Sequence, residues 1–205
     1  NTGNAYVIGL TEDTTPAYPT TNGAYDTTHN GKTDVTITKL NSAGSSLIFS
    51  TFIGGDGPDN CWDIELDDQG NVYITGFTQS ENLNYPTTNG AFDSTYNGMQ
   101  DAFVTKLNPS CSSLIYSTFL GGTSSDRGWG LALDSNNNAY IVGDTSQSDF
   151  PTTDGSYDTT FNGVMDIFIT KINQAGGKLI YSTFVGGSDE DYSWKIQLDS
   201  SNNAI

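Results

Sequence analysis

The sequence predicts an all-β fold: a β-propeller-type array of four-stranded antiparallel blades, about three repeats of 65–67 residues, with the first and last blades incomplete. Three observations carry this expectation. The stretch W-G-L-A-L-D-S-N-N-N-A-Y-I-V-G-D-T at Trp129–Thr145 recurs as W-D-I-E-L-D-D-Q-G-N-V-Y-I-T-G-F-T at Trp62–Thr78. With Gly3, Gly70, Asn137 and Asn202 taken as equivalent, successive copies stand 67, 67 and 65 residues apart. Each period also holds four runs rich in β-branched and aromatic residues, and no run sustains a helical spacing.

In the middle period the four runs are Trp62–Asp67, Val72–Thr78, Ala102–Leu107 and Leu114–Leu120. Trp62, Ile64 and Leu66 alternate along the first, with Asp63 and Glu65 between them, so this strand is expected to meet water along a propeller channel. In the last run Leu114, Tyr116 and Leu120 are expected on one face and Ile115 and Phe119 on the other. Both faces are then apolar and must be covered, which a stack of like sheets about 10 Å apart achieves. Gly, Asn, Asp and Ser fill the gaps, as turns require.

A long insert, Y-P-T-T-N-G-A-Y-D-T-T-H-N-G, joins the second and third runs at Tyr18–Gly31 and is echoed at Tyr85–Gly98 and Phe150–Gly163. Repetition in a loop implies packing, so its aromatic residues are expected to cap the sheet, with at most a single helical turn near each Gly-Ala-Tyr or Gly-Ala-Phe. Two residues are lost in the third period, where five residues separate Thr145 from Pro151 against seven between Thr11 and Pro19. That is where a surface loop varies. The whole chain, 1–205, reads as one domain, with repeats at about 3–69, 70–136 and 137–201 and residues 202–205 beginning a fourth.

Seven Lys and Arg against 24 Asp and Glu give a formal charge of −17 with no basic cluster, which argues against nucleic acid and anionic membrane as partners. No run reaches the roughly 20 apolar residues of a membrane-crossing helix, so membrane insertion is not expected. Few lysines, abundant Thr, Ser, Asn and Gly, and one histidine suggest an extracellular or cell-surface location. Cys61 and Cys111 fall at non-equivalent places and are expected as two free thiols.

Chemistry is sparse. His29 stands where the sister repeats have Tyr96 and Phe161, which makes it a packing ring. Arg127 is unique and without an obvious partner in sequence. The recurring aspartates (Asp26, Asp34, Asp59, Asp67 and their equivalents) read as turn residues, and Lys39, Lys106 and Lys171 as repeated ion-pair partners for one of those sets. Only Asp189, Glu190 and Asp191 cluster in a single loop, where calcium is the candidate cofactor. No catalytic residues are assigned, no other cofactor is expected, and the chain is not expected to be an enzyme.

These repeats resemble the bacterial and archaeal β-propeller repeat family called SBBP. The resemblance rests on P-T-T-x-G-A-[YF] at Pro19–Tyr25 and Pro86–Phe92, with Ser156 for Ala in Pro151–Tyr157, on D-x-[FTV]-[VI]-T-K-[LI] from Asp34, Asp101 and Asp166, and on L-I-[FY]-S-T-F-[ILV]-G-G ending at Gly55, Gly122 and Gly187. It implies a propeller-type blade of an extracellular protein and carries over no catalytic residue. Three periods are fewer than an ordinary ring uses. Because the chain opens within one repeat and closes within another, a structural or adhesive role is expected. Copies would join head to tail by completing each other's blades, as a fibre or closed ring. The alternative is a piece of a longer cell-surface propeller whose adjacent blades come from the same polypeptide, acting as a glycan- or calcium-binding module.

Overall fold

The computed structural model describes residues 3–12, 17–80 and 84–205. Parts of the loops after Thr11 and Thr78, at 13–16 and 81–83, lie outside the described residues, so the expected length variation there is seen only in the third repeat. Eleven strands are described, and no helix: β1 Ala5–Thr11, β2 Asp34–Leu40, β3 Leu47–Ile53, β4 Asp59–Leu66, β5 Val72–Thr78, β6 Asp101–Leu107, β7 Leu114–Leu120, β8 Asp126–Leu133, β9 Ala139–Thr145, β10 Asp166–Ile172 and β11 Leu179–Val185. They form three antiparallel sheets in the orders β1-β2-β3, β4-β5-β6-β7 and β8-β9-β10-β11. Each is a sequential meander, with consecutive strands as neighbours even across the long insert. The array is a propeller type with an incomplete first blade and is not closed. The single helical turns expected near Gly-Ala-Tyr are absent, because Ala24, Ala91 and Ser156 close hydrogen-bonded turns onto Thr21, Thr88 and Thr153 instead.

The sheets stack face to face. Val35, Ile37 and Ile53 of the first meet Ile74, Phe103 and Phe119 of the second. Val104, Tyr116 and Leu120 on the second sheet's other face meet Ile141, Phe168 and Phe184 of the third. Fully burying such a side chain contributes about 1.5–3 kcal/mol, so these junctions are what holds the array together. Beyond the third sheet, Ile196 packs on Tyr140 and Val142. It belongs to a segment, residues 191–199, that joins none of the three sheets.

Bulges correct two expectations about faces. In β4 the register slips between Cys61 and Asp63, and in β8 between Gly128 and Gly130, so Trp62 and Trp129 are the extra residues of the ladder. The regular alternation Trp62, Ile64, Leu66 is therefore interrupted at its first member, and Trp62 is exposed. A second slip, between Lys106 and Leu107, sets Leu107 opposite Leu114 and Lys106 opposite Tyr116. Ile115 is the unpaired residue, and Leu114 packs with Phe119 rather than with Tyr116. The same slip in the sister sheets leaves Ile48, Ile115 and Ile180 exposed by 46%, 46% and 47%, a uniformity that only a repeated bulge explains.

Each long insert clamps the outer edge of its own sheet. Thr88 donates its N–H to the Ser117 carbonyl at 3.1 Å and accepts the Ser117 N–H on Oγ1 at 3.0 Å. Further along, the Asp93 carbonyl accepts the Phe119 N–H. Thr21 with Ser50 and Thr153 with Ser182 repeat the clamp. An edge that would otherwise invite another strand is thereby closed.

Candidate functional site: the repeated junction between blades

The residues singled out in the sequence gather at the junctions. At one end of the sheets the hairpin aspartates organise turns. Asp67 accepts the Gln69 and Asn71 N–H groups and the Asn71 side-chain amide, and Asp134 and Asp199 do the same with Asn138 and Asn203. Asp67 also meets Lys106 at 3.3 Å with both side chains buried, and Asp134 meets Lys171 at 2.8 Å with the carboxylate buried and the lysine partly exposed. Burial pushes both carboxyls up, but the turn donors and the lysine outweigh it and hold them below the ordinary carboxylate range. Lys39 instead lies over the Tyr6 ring, 4.6 Å from its centroid, and no ion pair of Lys39 or Asp199 is described.

At the opposite end carboxyls meet carboxyls. A Cβ on Gly54 would stand 2.6 Å from Asp34 Oδ1 and 2.8 Å from Asp59 Oδ2; one on Gly121 would stand 2.9 Å from Asp126 Oδ2 and 3.1 Å from Asp101 Oδ1. Gly54 and Gly121, the first glycines of their Gly-Gly pairs, are thus each the seat of two aspartates, one from β2 or β6 and one from β4 or β8, the first strand of the next sheet. Asp166 and Asp191 repeat the arrangement at Gly186. Asp59 is held by the Gly55 N–H and the Ser80 hydroxyl, whereas Asp34, Asp126 and Asp166 each leave one buried oxygen without a partner. Desolvation pushes Asp59 and Asp126 up to about 6 and Asp101 up to about 7, with a further rise from Asp34 at Asp59, from Asp126 at Asp101, and from Asp149 and Asp144 at Asp126.

Aromatic rings do the rest. Tyr85 packs 4.7 Å from Phe103 and Phe150 stacks 4.3 Å from Phe168, as caps on their sheets. His29 sits edge-on to Phe52 and bonds the Thr11 carbonyl, the packing role its equivalents Tyr96 and Phe161 have against Phe119 and Phe184. The insert reaches across to the next blade: Tyr25 donates its N–H to the Cys111 carbonyl, and Phe92 to that of Gly176. Tyr157, the third member, is 86% exposed and caps nothing in this chain. Trp62, Trp129 and Trp194 form a row along the first strands, with centroids 5.0 and 5.5 Å apart.

Asp189, Glu190 and Asp191 have separate uses. Asp191 accepts the Gly187 N–H, Glu190 accepts the Tyr192 hydroxyl, and the Asp189 backbone carbonyl receives the Val164 N–H. Among the described residues no three of His, Cys, Asp and Glu come together as a metal site. Both cysteines are free and buried, and burial pushes the Cys111 thiol up to about 12. Cys111 adopts φ 47° where its equivalents Gly44 and Gly176 have 66° and 73°, so the turn imposes the left-handed conformation on a residue that rarely takes it.

One cluster escapes a reading of single residues. Arg127 reaches Gln100 Oε1 at 2.6 Å and lies over Phe77, and Asp144, which replaces Phe77 and Leu10 of the sister strands, accepts the Trp129 indole N–H. The signal was two breaks in the repeat, Arg127 for Asn60 and Asp144 for Phe77, which the pairing of β8 with β9 brings side by side. Residues 115–151 match the family model SBBP, a beta-propeller repeat. The matched stretch runs from β7 through the β8–β9 hairpin to Pro151, and the aspartate turns, insert clamps and bulges described above recur in the other periods. No curated protein matches the chain.

Proposed function

We propose that this chain is a non-catalytic structural module of the cell exterior: a run of propeller blades whose two open faces take up further blades of the same kind. One observation carries the reading. Each internal junction is assembled from the same halves, and both open faces display one half unfilled. On the first sheet Val7, the equivalent of buried Ile74 and Ile141, is exposed, and beyond the third sheet Ile167, Ile169, Val185 and Ile196 line an open apolar hollow of about 190 Å³. Apart from the unpartnered oxygens of Asp34, Asp126 and Asp166, the polar groups described at the junctions are engaged in turns, clamps and ion pairs, which supports a load-carrying rather than a catalytic role. The extracellular placement is supported by the acidic, lysine-poor, Thr- and Asn-rich composition.

Sedimentation of the purified chain tests this. Its mass should rise above 21.9 kDa with concentration, and Ile169→Asp, which puts a charge on the open face, should return it to a single copy. A lone 21.9 kDa species at every concentration, or assembly indifferent to Ile169→Asp, would overturn the reading.

A further inference from the structure

The inserts carry five Asn-Gly steps, at Asn22, Asn30, Asn89, Asn97 and Asn162, and at such a step the main-chain nitrogen of glycine, unshielded by a side chain, can attack the preceding side-chain amide. The fold divides the five into two sets. We propose that Asn22 and Asn89 are sites of spontaneous deamidation, each converting to aspartate or isoaspartate in the folded chain, while Asn30, Asn97 and Asn162 are held against it.

Exposure does not separate the sets, because all five asparagines are exposed. Bonding does. Asn30, Asn97 and Asn162 donate Nδ2 to Asp26, Asp93 and Asp158 of their own inserts, at 2.5, 3.0 and 2.9 Å. Their backbone N–H groups are held as well, each at 2.9 Å, by Asp34, Asp101 and Asp166. The glycines that follow are pressed against neighbouring backbone: a Cβ on Gly31, Gly98 or Gly163 would strike the carbonyl oxygen of Gly55, Ser124 or Asp189. The glycine nitrogen cannot swing toward the amide carbon without opening this network.

Asn22 and Asn89 sit instead at the tips of the turns that Ala24 closes on Thr21 and Ala91 on Thr88. Gly23 and Gly90 follow with φ 81° and 83°, as the third position of a type II turn requires, and a Cβ on either would meet nothing within 4 Å. Among the described residues neither asparagine side chain has a hydrogen-bond partner, nor does the N–H of Gly23 or Gly90. The third insert already carries the product of the reaction. Asp154 is exposed at the same tip, before Gly155 with φ 78°, so the turn accepts a carboxylate there.

The chemistry needs only water. The glycine nitrogen attacks the asparagine side-chain carbonyl carbon, the new C–N bond closes a cyclic imide, and the bond to Nδ2 breaks to release ammonia, which carries off the glycine N–H proton. Water then opens the imide at either carbonyl, giving aspartate, or isoaspartate with the main chain running through the former side chain. Each conversion adds one negative charge to an insert, and isoaspartate also adds a methylene to the main chain. At Asn89 that change falls on a blade junction: Phe92 donates its N–H to the Gly176 carbonyl at 2.9 Å, and a Cβ on Gly177 would stand 2.6 Å from the Gly90 carbonyl oxygen.

Incubation of the native chain at mildly alkaline pH, followed by peptide mapping with mass spectrometry, reads all five sites at once, each against its own rate in the denatured chain. Asn22 and Asn89 should convert at close to their denatured rates, and the other three several-fold more slowly, because they react only through local opening. Asn22→Gln/Asn89→Gln should remove the acidic forms that ion exchange resolves while leaving the melting temperature unchanged. Native chains in which Asn22 and Asn89 are protected as strongly as the other three, or in which Asn30, Asn97 and Asn162 convert as freely as they do, would overturn the assignment. Acidic forms that accumulate undiminished in the double variant would overturn it equally.

Discussion

Lys106 and Asp67 meet with both side chains buried, a geometry in which neither charge can be left alone. Removing one partner from a buried pair costs about 3–5 kcal/mol, while replacing both with neutral groups is often nearly free. Lys106→Ala should therefore lose about 3 kcal/mol or more in denaturant unfolding, and Lys106→Met/Asp67→Asn should recover most of it. An equal loss in the single and double variants would show that the lysine matters through its packing over Tyr73 instead. The recurrence of one lysine per period made these pairs legible in sequence. Which carboxylate each lysine takes was not, because four aspartate sets recur with the same period and only the β4–β5–β6 pairing selects Asp67.

Strands and inserts are the next scale, where the clamp of each insert on its sheet edge is decisive. Thr88 uses both its backbone N–H and its hydroxyl on Ser117, so Thr88→Val keeps the shape and strands a Ser117 N–H that is shielded from water. A loss of about 1–3 kcal/mol is expected, with amide exchange at Ser117 rising selectively. Unchanged exchange there would mean that the hydroxyl does not hold the edge. Strand existence and order were readable, since alternation, turn residues and the repeat agree. The faces of Leu114 and Trp62 were not, because a bulge shifts every residue beyond it to the other side, and no residue type in the sequence marks these bulges.

The molecule as a whole carries two opposed responses to pH. Asp34, Asp59, Asp101 and Asp126 have folded-state values raised by burial, so the folded chain holds protons that the unfolded chain has released. Their contribution is fully present below the unfolded value near 4, and is lost as pH rises through about 6 for Asp59 and Asp126 and about 7 for Asp101. Asp67 and Asp134, held low, act in the opposite sense: their contribution is present above about 4 and is lost only as pH falls through their depressed values. Melting temperature should therefore fall steadily from pH 5 to pH 8, and Asp126→Asn should flatten the slope. A profile level across that window would show that the junction carboxyls are ionised throughout.

By itself the sequence determined the repeat, its four strands, the aspartate turns and the packing role of the inserts, because each depends on residues close in the chain or on a period that recurs. Tertiary structure alone decided which aspartates oppose each other across a blade junction, where the bulges turn the faces, and that Arg127 and Asp144 share one neighbourhood. Those outcomes depend on strand register, which brings together residues distant in sequence.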